Sequence, residues 1–154
     1  MADTQLEFRE SQKFTQPWLW FVLLIVNGLT LYGIFSNPYS IGPFLITIGI
    51  TLIIFFSRLD TQVNKTGIHY RFKPYFNKWK VIKWLDVRSV KIKKYNAISE
   101  FGGFGIRINF SGNKAFNTSG NTGLDITLKN NKKILIGTQK PDELENIIER
   151  LKME

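Results

Sequence analysis

The sequence predicts an α+β membrane protein: a two-helix transmembrane hairpin over residues 17–57, followed over residues 58–154 by a barrel of about seven antiparallel strands that a C-terminal amphipathic helix closes. Three observations lead there. Two long apolar runs, Trp18–Phe35 and Ile41–Ser57, hold no charged side chain and are parted only by Ser36-Asn37-Pro38-Tyr39-Ser40. Charge then changes abruptly, since residues 1–57 hold 2 basic and 3 acidic side chains and residues 58–154 hold 19 and 9. Across that second part apolar residues recur at every second position until one last stretch, where they recur at every third and fourth.

Residues 1–16 read as an N-terminal juxtamembrane segment. Arg9 and Lys13 stand there against Asp3, Glu7 and Glu10, so the segment lacks the basic start of a cleaved signal peptide. As a helix, each apolar run covers about 26 Å at ~1.5 Å per residue, close to the ~30 Å hydrocarbon core. Paired helices in a soluble protein would show a polar stripe. Here the polar residues are few: Asn27 and Thr30 in the first run, Thr47 and Thr51 in the second. Pro17 and Pro43 suit first helical turns, where a missing donor costs nothing. Trp18, Trp20 and Tyr39 mark the two membrane interfaces. Arg9 and Lys13 flank the hairpin on one side and Arg58 and Lys65 on the other, with no basic residue in the connector, which predicts a multi-pass protein of the inner membrane with both termini cytoplasmic. Gly28, Gly33, Gly42 and Gly49 lack the four-residue spacing of a close-packing motif; only Gly42 and Gly49 share a face.

The polar part starts with a strand over about Leu59–Asn64 and a tight turn at Lys65-Thr66-Gly67. Ile68, Tyr70 and Phe72 then alternate with His69, Arg71 and Lys73. Trp79, Val81 and Ile82 suggest a short strand, and Asp86 bends the chain into Val87–Tyr95, where Val90 and Ile92 alternate with Lys91 and Lys93. Ile98–Gly105, broken by Gly102, Gly103 and Gly105, reads as a loop or bulged edge leading into Ile106, Ile108 and Phe110. Lys114–Asn117, Leu124–Leu128 and Lys132–Ile136 complete the strands, with a hairpin turn at Asn130-Asn131. Leu144, Ile147, Ile148 and Leu151 form one helical stripe over about Pro141–Lys152, with Asp142 and Glu143 near the positive end of the helix dipole.

On this order of elements the chain resembles the bacterial membrane proteins in which two transmembrane helices precede a pleckstrin-homology-like domain. The segments Thr66-Gly67-Ile68-His69-Tyr70-Arg71-Phe72, Trp79-Lys80-Val81-Ile82-Lys83-Trp84-Leu85-Asp86-Val87, Glu100-Phe101-Gly102-Gly103-Phe104-Gly105 and Ile134-Leu135-Ile136-Gly137-Thr138 carry it. The resemblance implies a pleckstrin-homology-like domain over 58–154 that binds or assembles and has no catalytic signature.

Basic side chains are the leading functional candidates. Lys65, Arg71, Lys73, Lys78, Lys80, Lys91 and Lys93 lie on predicted strand faces or turns, and 15 basic residues face only Asp86, Glu100 and Asp125 between positions 61 and 137. Such rows suit anionic lipid or an acidic protein partner, each cation contributing about 1 kcal/mol near a charged leaflet; the plain alternative is a solvated, protected strand surface. The turn at Lys65-Thr66-Gly67 is too short to cradle a phosphorylated head group. Inward-facing Tyr70 and Phe72 leave no aromatic platform for nucleic acid, so none is expected. A second reading is an accessory or assembly subunit that meets a membrane-protein partner, or another copy of itself, through the hairpin and a Gly-Phe edge at Phe101, Gly102, Gly103 and Phe104. That segment feeds a predicted strand, which excludes a phosphate loop. No cysteine and a single histidine, His69, argue against a metal site or cofactor, and no nucleophile sits beside a base in sequence.

Overall fold

Phe8, Glu10 and Gln12 are buried while Arg9, Ser11 and Lys13 are exposed, and this period of two is that of a strand, β1 (Phe8–Lys13). The computed structural model describes residues 7–37, 41–109 and 111–153. The residues up to Lys13 and those from Arg58 onward form one compact unit, and Phe14–Ser57 form another. A stretch expected to be a juxtamembrane segment is therefore part of a sheet. Its pattern is concealed in the sequence because two of its three buried positions, Glu10 and Gln12, are polar.

The helical unit contains α1 (Pro17–Ser36) and α2 (Ile41–Phe56). With 20 residues, α1 is long and apolar enough to cross a membrane, whereas α2, with 16, is shorter. The two pack antiparallel: Asn27 Nδ2 donates to Thr51 Oγ1 at 2.8 Å, and the Thr30 and Thr47 hydroxyls lie 3.1 Å apart. The four polar residues of the apolar runs thus face one another. Pro38, Tyr39 and Ser40, with the interface role expected of Tyr39, lie outside the described residues, as does Phe110 at the end of the strand expected at Ile106–Phe110.

In the other unit, β2 (Arg58–Asn64), β3 (Gly67–Lys73) and β4 (Phe76–Lys83) extend β1 into an antiparallel sheet of order β1-β2-β3-β4. Lys13 pairs with Arg58, so the chain leaves this sheet and re-enters it at one rung. At Gly67, φ is 153° and an added Cβ would strike the Ile82 carbonyl, so only glycine fits the turn into β3. A 3-10 turn, Trp84–Asp86, leads to β5 (Val87–Lys94). Then follow α3 (Ala97–Phe101), β6 (Gly105–Ile108), β7 (Lys114–Asn117), β8 (Thr122–Leu128), β9 (Lys133–Gly137) and α4 (Pro141–Met153). The second sheet has the order β5-β8-β9-β7-β6, and β7 runs parallel to β9. The fold is α+β with nine strands among the described residues, where about seven, all antiparallel, were expected. Six-residue β1 lies where no strand was expected, while four-residue β6 lies where the chain was expected to enter a strand at Ile106.

The inner faces of the sheets meet. Tyr70 of β3 lies 4.9 Å, centroid to centroid, from Phe116 of β7, and Phe76 of β4 lies 5.9 Å from the same ring. Leu59, Val63, Ile68 and Phe72 from the first sheet and Leu124, Ile126, Ile134 and Ile136 from the second complete the core with Leu144, Ile147 and Ile148 of α4. Polar groups join β1 to the corner after β9: Gln12 Nε2 donates to the Gly137 carbonyl at 2.7 Å, and Glu10 accepts from the Thr138 hydroxyl and the Gln139 amide, each at 2.7 Å.

The loop expected at Ile98–Gly105 begins instead with α3. Asn96 caps it, its side chain accepting from the Ile98 and Ser99 amides, and left-handed Gly102 ends it.

Candidate functional site

The predicted cations are divided between the sheets. Inward Ile68, Tyr70 and Phe72 leave Arg71 and Lys73 on the outer face of the first sheet, while inward Val90 and Ile92 leave Lys91 and Lys93 on the outer face of the second. Because the sheets pack inner face to inner face, these rows do not merge. Local partners divide them further. Arg71 donates from Nε to Asp60 Oδ2 at 2.7 Å and stacks 4.3 Å from the Trp79 ring centroid. Lys93 reaches Glu100 at 2.7 Å and, by that hydrogen bond above all, holds the Glu100 carboxyl below its usual range. Lys65 is exposed in the turn after β2, and Lys73, partly buried, ends β3 opposite Arg58. Lys78 and Lys91 are exposed, Lys91 in register with Asp125.

The expected partner edge is packed in the structure. Phe101 and Phe104 lie against a cluster on the outer face of the second sheet made by Tyr95, Ala97, Ala115 and Leu135. Gly123 and Gly137 form its floor, for an added Cβ would come within 3.2 Å of the Tyr95 ring at one and 3.3 Å of the Tyr95 hydroxyl at the other. Burial raises the Tyr95 pKa, partly offset by its Asn117 neighbour. Gly102 is exposed at the end of α3, and Gly103 sits against the Arg107 guanidinium.

β4 is where the geometry and the sequence reading part. Tyr70 pairs with Lys80 and Phe72 with Phe76, so three β4 residues oppose Arg71 and the strand bulges. Two extra residues keep the parity of the alternation, so Lys80 and Ile82, opposite Tyr70 and Ile68, lie on the same side of the strand as Phe76, opposite Phe72. Ile82 goes inward, Val81 is left 47% exposed, and Lys80 turns toward the edge of the core with its ammonium 4.2 Å from the Phe76 ring centroid. Lys80, Val81 and Ile82 form one wall of an open cleft of ≈ 470 Å³; Leu128, Lys129 and Asn130 form the other, with Tyr70 and Ile134 between them. Lys83, Lys129, Val81 and Leu85, the last 78% exposed, join the cationic side chains already predicted. Five apolar or aromatic residues interleaved with Lys80 and Lys83 from Trp79 to Leu85 are the signal of this edge in the sequence.

From Phe76 to Lys94 there are seven basic side chains and one acid, Asp86. This is a surface that can attract anions and seat an apolar group beside them. His69 offers no general base to its neighbour: the Thr66 hydroxyl donates to Asn64 Oδ1 at 2.6 Å, so His69 Nε2, 3.0 Å from that hydroxyl oxygen, is the donor. Burial lowers the His69 pKa and raises that of Tyr70. Among the described residues no group of three or more His, Cys, Asp or Glu side chains can hold a metal ion. No family model, curated protein or solved structure matches the chain.

Proposed function

We propose that this protein is a membrane-anchored, non-catalytic binding module. Both helices cross the inner membrane, both termini are cytoplasmic, and a pleckstrin-homology-like domain offers its basic surface to anionic lipid or an acidic protein partner. The observation that carries this reading is the run of exposed lysines along β4 and β5, with Asp86 their single acidic companion from Phe76 to Lys94. Arg71 and Lys93, occupied by Asp60 and Glu100, contribute less than Lys78, Lys80, Lys83 and Lys91.

The test uses the full chain in phosphatidylcholine nanodiscs, mixed with labelled phosphatidylserine vesicles and, separately, with polyglutamate. Capture of either at low salt, weakening as salt rises and with Lys78→Glu and Lys91→Glu, is the expected result. Failure to retain either probe at low salt overturns it. Reporters after Glu154 and in the connector check the topology.

A second reading, an accessory subunit or homo-oligomer assembled through the helices, is favoured by Asn27. Its amide hydrogens go to Leu23 O and Thr51 Oγ1, while its buried Oδ1 has no hydrogen-bond partner. Crosslinking of the full chain that recovers a partner, lost with Asn27→Leu, would support it over the first.

A further inference from the structure

β4 is an edge strand, the last of its sheet, and alternate residues of an edge strand turn their N–H and C=O groups away from the neighbour. Lys80, Val81 and Ile82 are consecutive, and consecutive strand residues point to opposite faces. A cleft that touches all three therefore opens on the strand's edge, backbone included, rather than on one face. Its far wall, at Leu128, Lys129 and Asn130, is held in place by the Lys129 amide, which donates to the Asp86 carbonyl at 2.9 Å. Buried Ile82 and Ile134 give the cleft an apolar part, with Tyr70 beside them, and Lys80 and Lys129 line it together with one acid, Asp86.

We propose that the free edge of β4 takes an extended acidic segment of a protein partner as an added strand, with one apolar side chain of that segment seated in the cleft. This rests on the reading of the domain as a binding module and chooses its protein arm over its lipid arm. Backbone hydrogen bonds supply the docking, and the cleft, within the ~300–1,000 Å³ range of ligand sites, supplies the anchor. Lysines on an edge ordinarily repel a further strand, since most strands bring nothing to pair with them. Along β4 the charges of Lys78, Lys80 and Lys83 act as a filter: a strand whose outward residues are Glu or Asp pairs with them, and one without acids is refused. A flat lipid headgroup layer uses the charges but leaves the edge amides and the cleft unfilled.

The experiment uses the full chain in phosphatidylcholine nanodiscs and, as probe, a blocked heptapeptide in which glutamate alternates with leucine and valine. Its controls are the same peptide with alternate backbone amides methylated, a version with lysine for glutamate, and phosphatidylserine vesicles. Binding of the parent peptide is expected to slow amide hydrogen exchange across Phe76–Lys83. The methylated and lysine peptides bind weaker by about tenfold or more, and Lys80→Glu with Lys129→Glu weakens the parent peptide similarly. Equal binding of parent and methylated peptides overturns strand addition, as does slowed exchange at β4 with vesicles alone. If every peptide fails while vesicles are still captured, the strand proposal falls and the lipid arm stands. If vesicles and polyglutamate fail as well, both fall.

Discussion

Arg71 and Asp60 meet on the outer face of the first sheet, Nε to Oδ2 at 2.7 Å, with side chains only 20% and 8% exposed. Arg58 reaches the other carboxylate oxygen at 3.1 Å and the Ser11 hydroxyl donates to it at 2.7 Å, while Trp79 covers the Arg71 guanidinium. Asp60 thus ties β1, β2 and β3 together on a face that the strand pattern alone would assign to solvent.

Removing the shared carboxylate should leave two guanidinium groups and a hydroxyl without their acceptor. Asp60→Ala is expected to destabilise the domain by about 3 kcal/mol, since the pair is largely removed from water. Lys78→Gln, at an exposed position, should stay within about 0.5 kcal/mol. Thermal unfolding of the full chain in detergent, followed by near-ultraviolet circular dichroism, checks both, and equal melting of the two variants would contradict the assignment.

Glu10 makes the link between β1 and the corner before α4. Glu10→Ala strands the Thr138 hydroxyl and the Gln139 amide and should cost about 1–3 kcal/mol. Faster amide exchange confined first to Phe8–Lys13 and the start of α4 is the accompanying signature.

The two glycines under Tyr95 should differ. An alanine Cβ at position 123 would lie 2.9 Å from the Ile136 carbonyl oxygen, which belongs to the backbone and cannot yield; at position 137 the nearest atom is the Asn117 Cβ at 3.1 Å. Gly123→Ala is therefore expected to be the more destabilising, by about 1–3 kcal/mol. Urea unfolding of both variants decides the order.

His69 gives a pH dependence of known sign. Burial lowers its folded pKa below the usual 6.5, so the unfolded chain binds the proton more readily than the folded one. Its contribution to stability is present above pH 6.5 and is lost as pH falls through the folded pKa. The melting temperature of the protein should fall over that window, and His69→Gln should flatten this part of the profile. A variant with the same slope would assign the effect to other groups.

By itself the sequence determined the period of each long element. The alternation at Ile68, Tyr70 and Phe72 and the stripe at Leu144, Ile147 and Ile148 are local patterns, and β3 and α4 lie where those patterns put them. The apolar run from Trp18 likewise specifies a helix long enough to span, because length and absence of charge are properties of the run alone. Tertiary structure decided what depends on partners distant in the chain. Strand β1 escapes the pattern because its polar Glu10 and Gln12 are satisfied by Thr138, Gln139 and Gly137, more than a hundred residues on. The availability of each cation was settled likewise: Arg71 carries the same charge as Lys78, but Asp60 and Trp79 occupy it. The β4 bulge opposite Arg71 was decided the same way, since a register shift follows from pairing with another strand and leaves no mark on the strand's own residues.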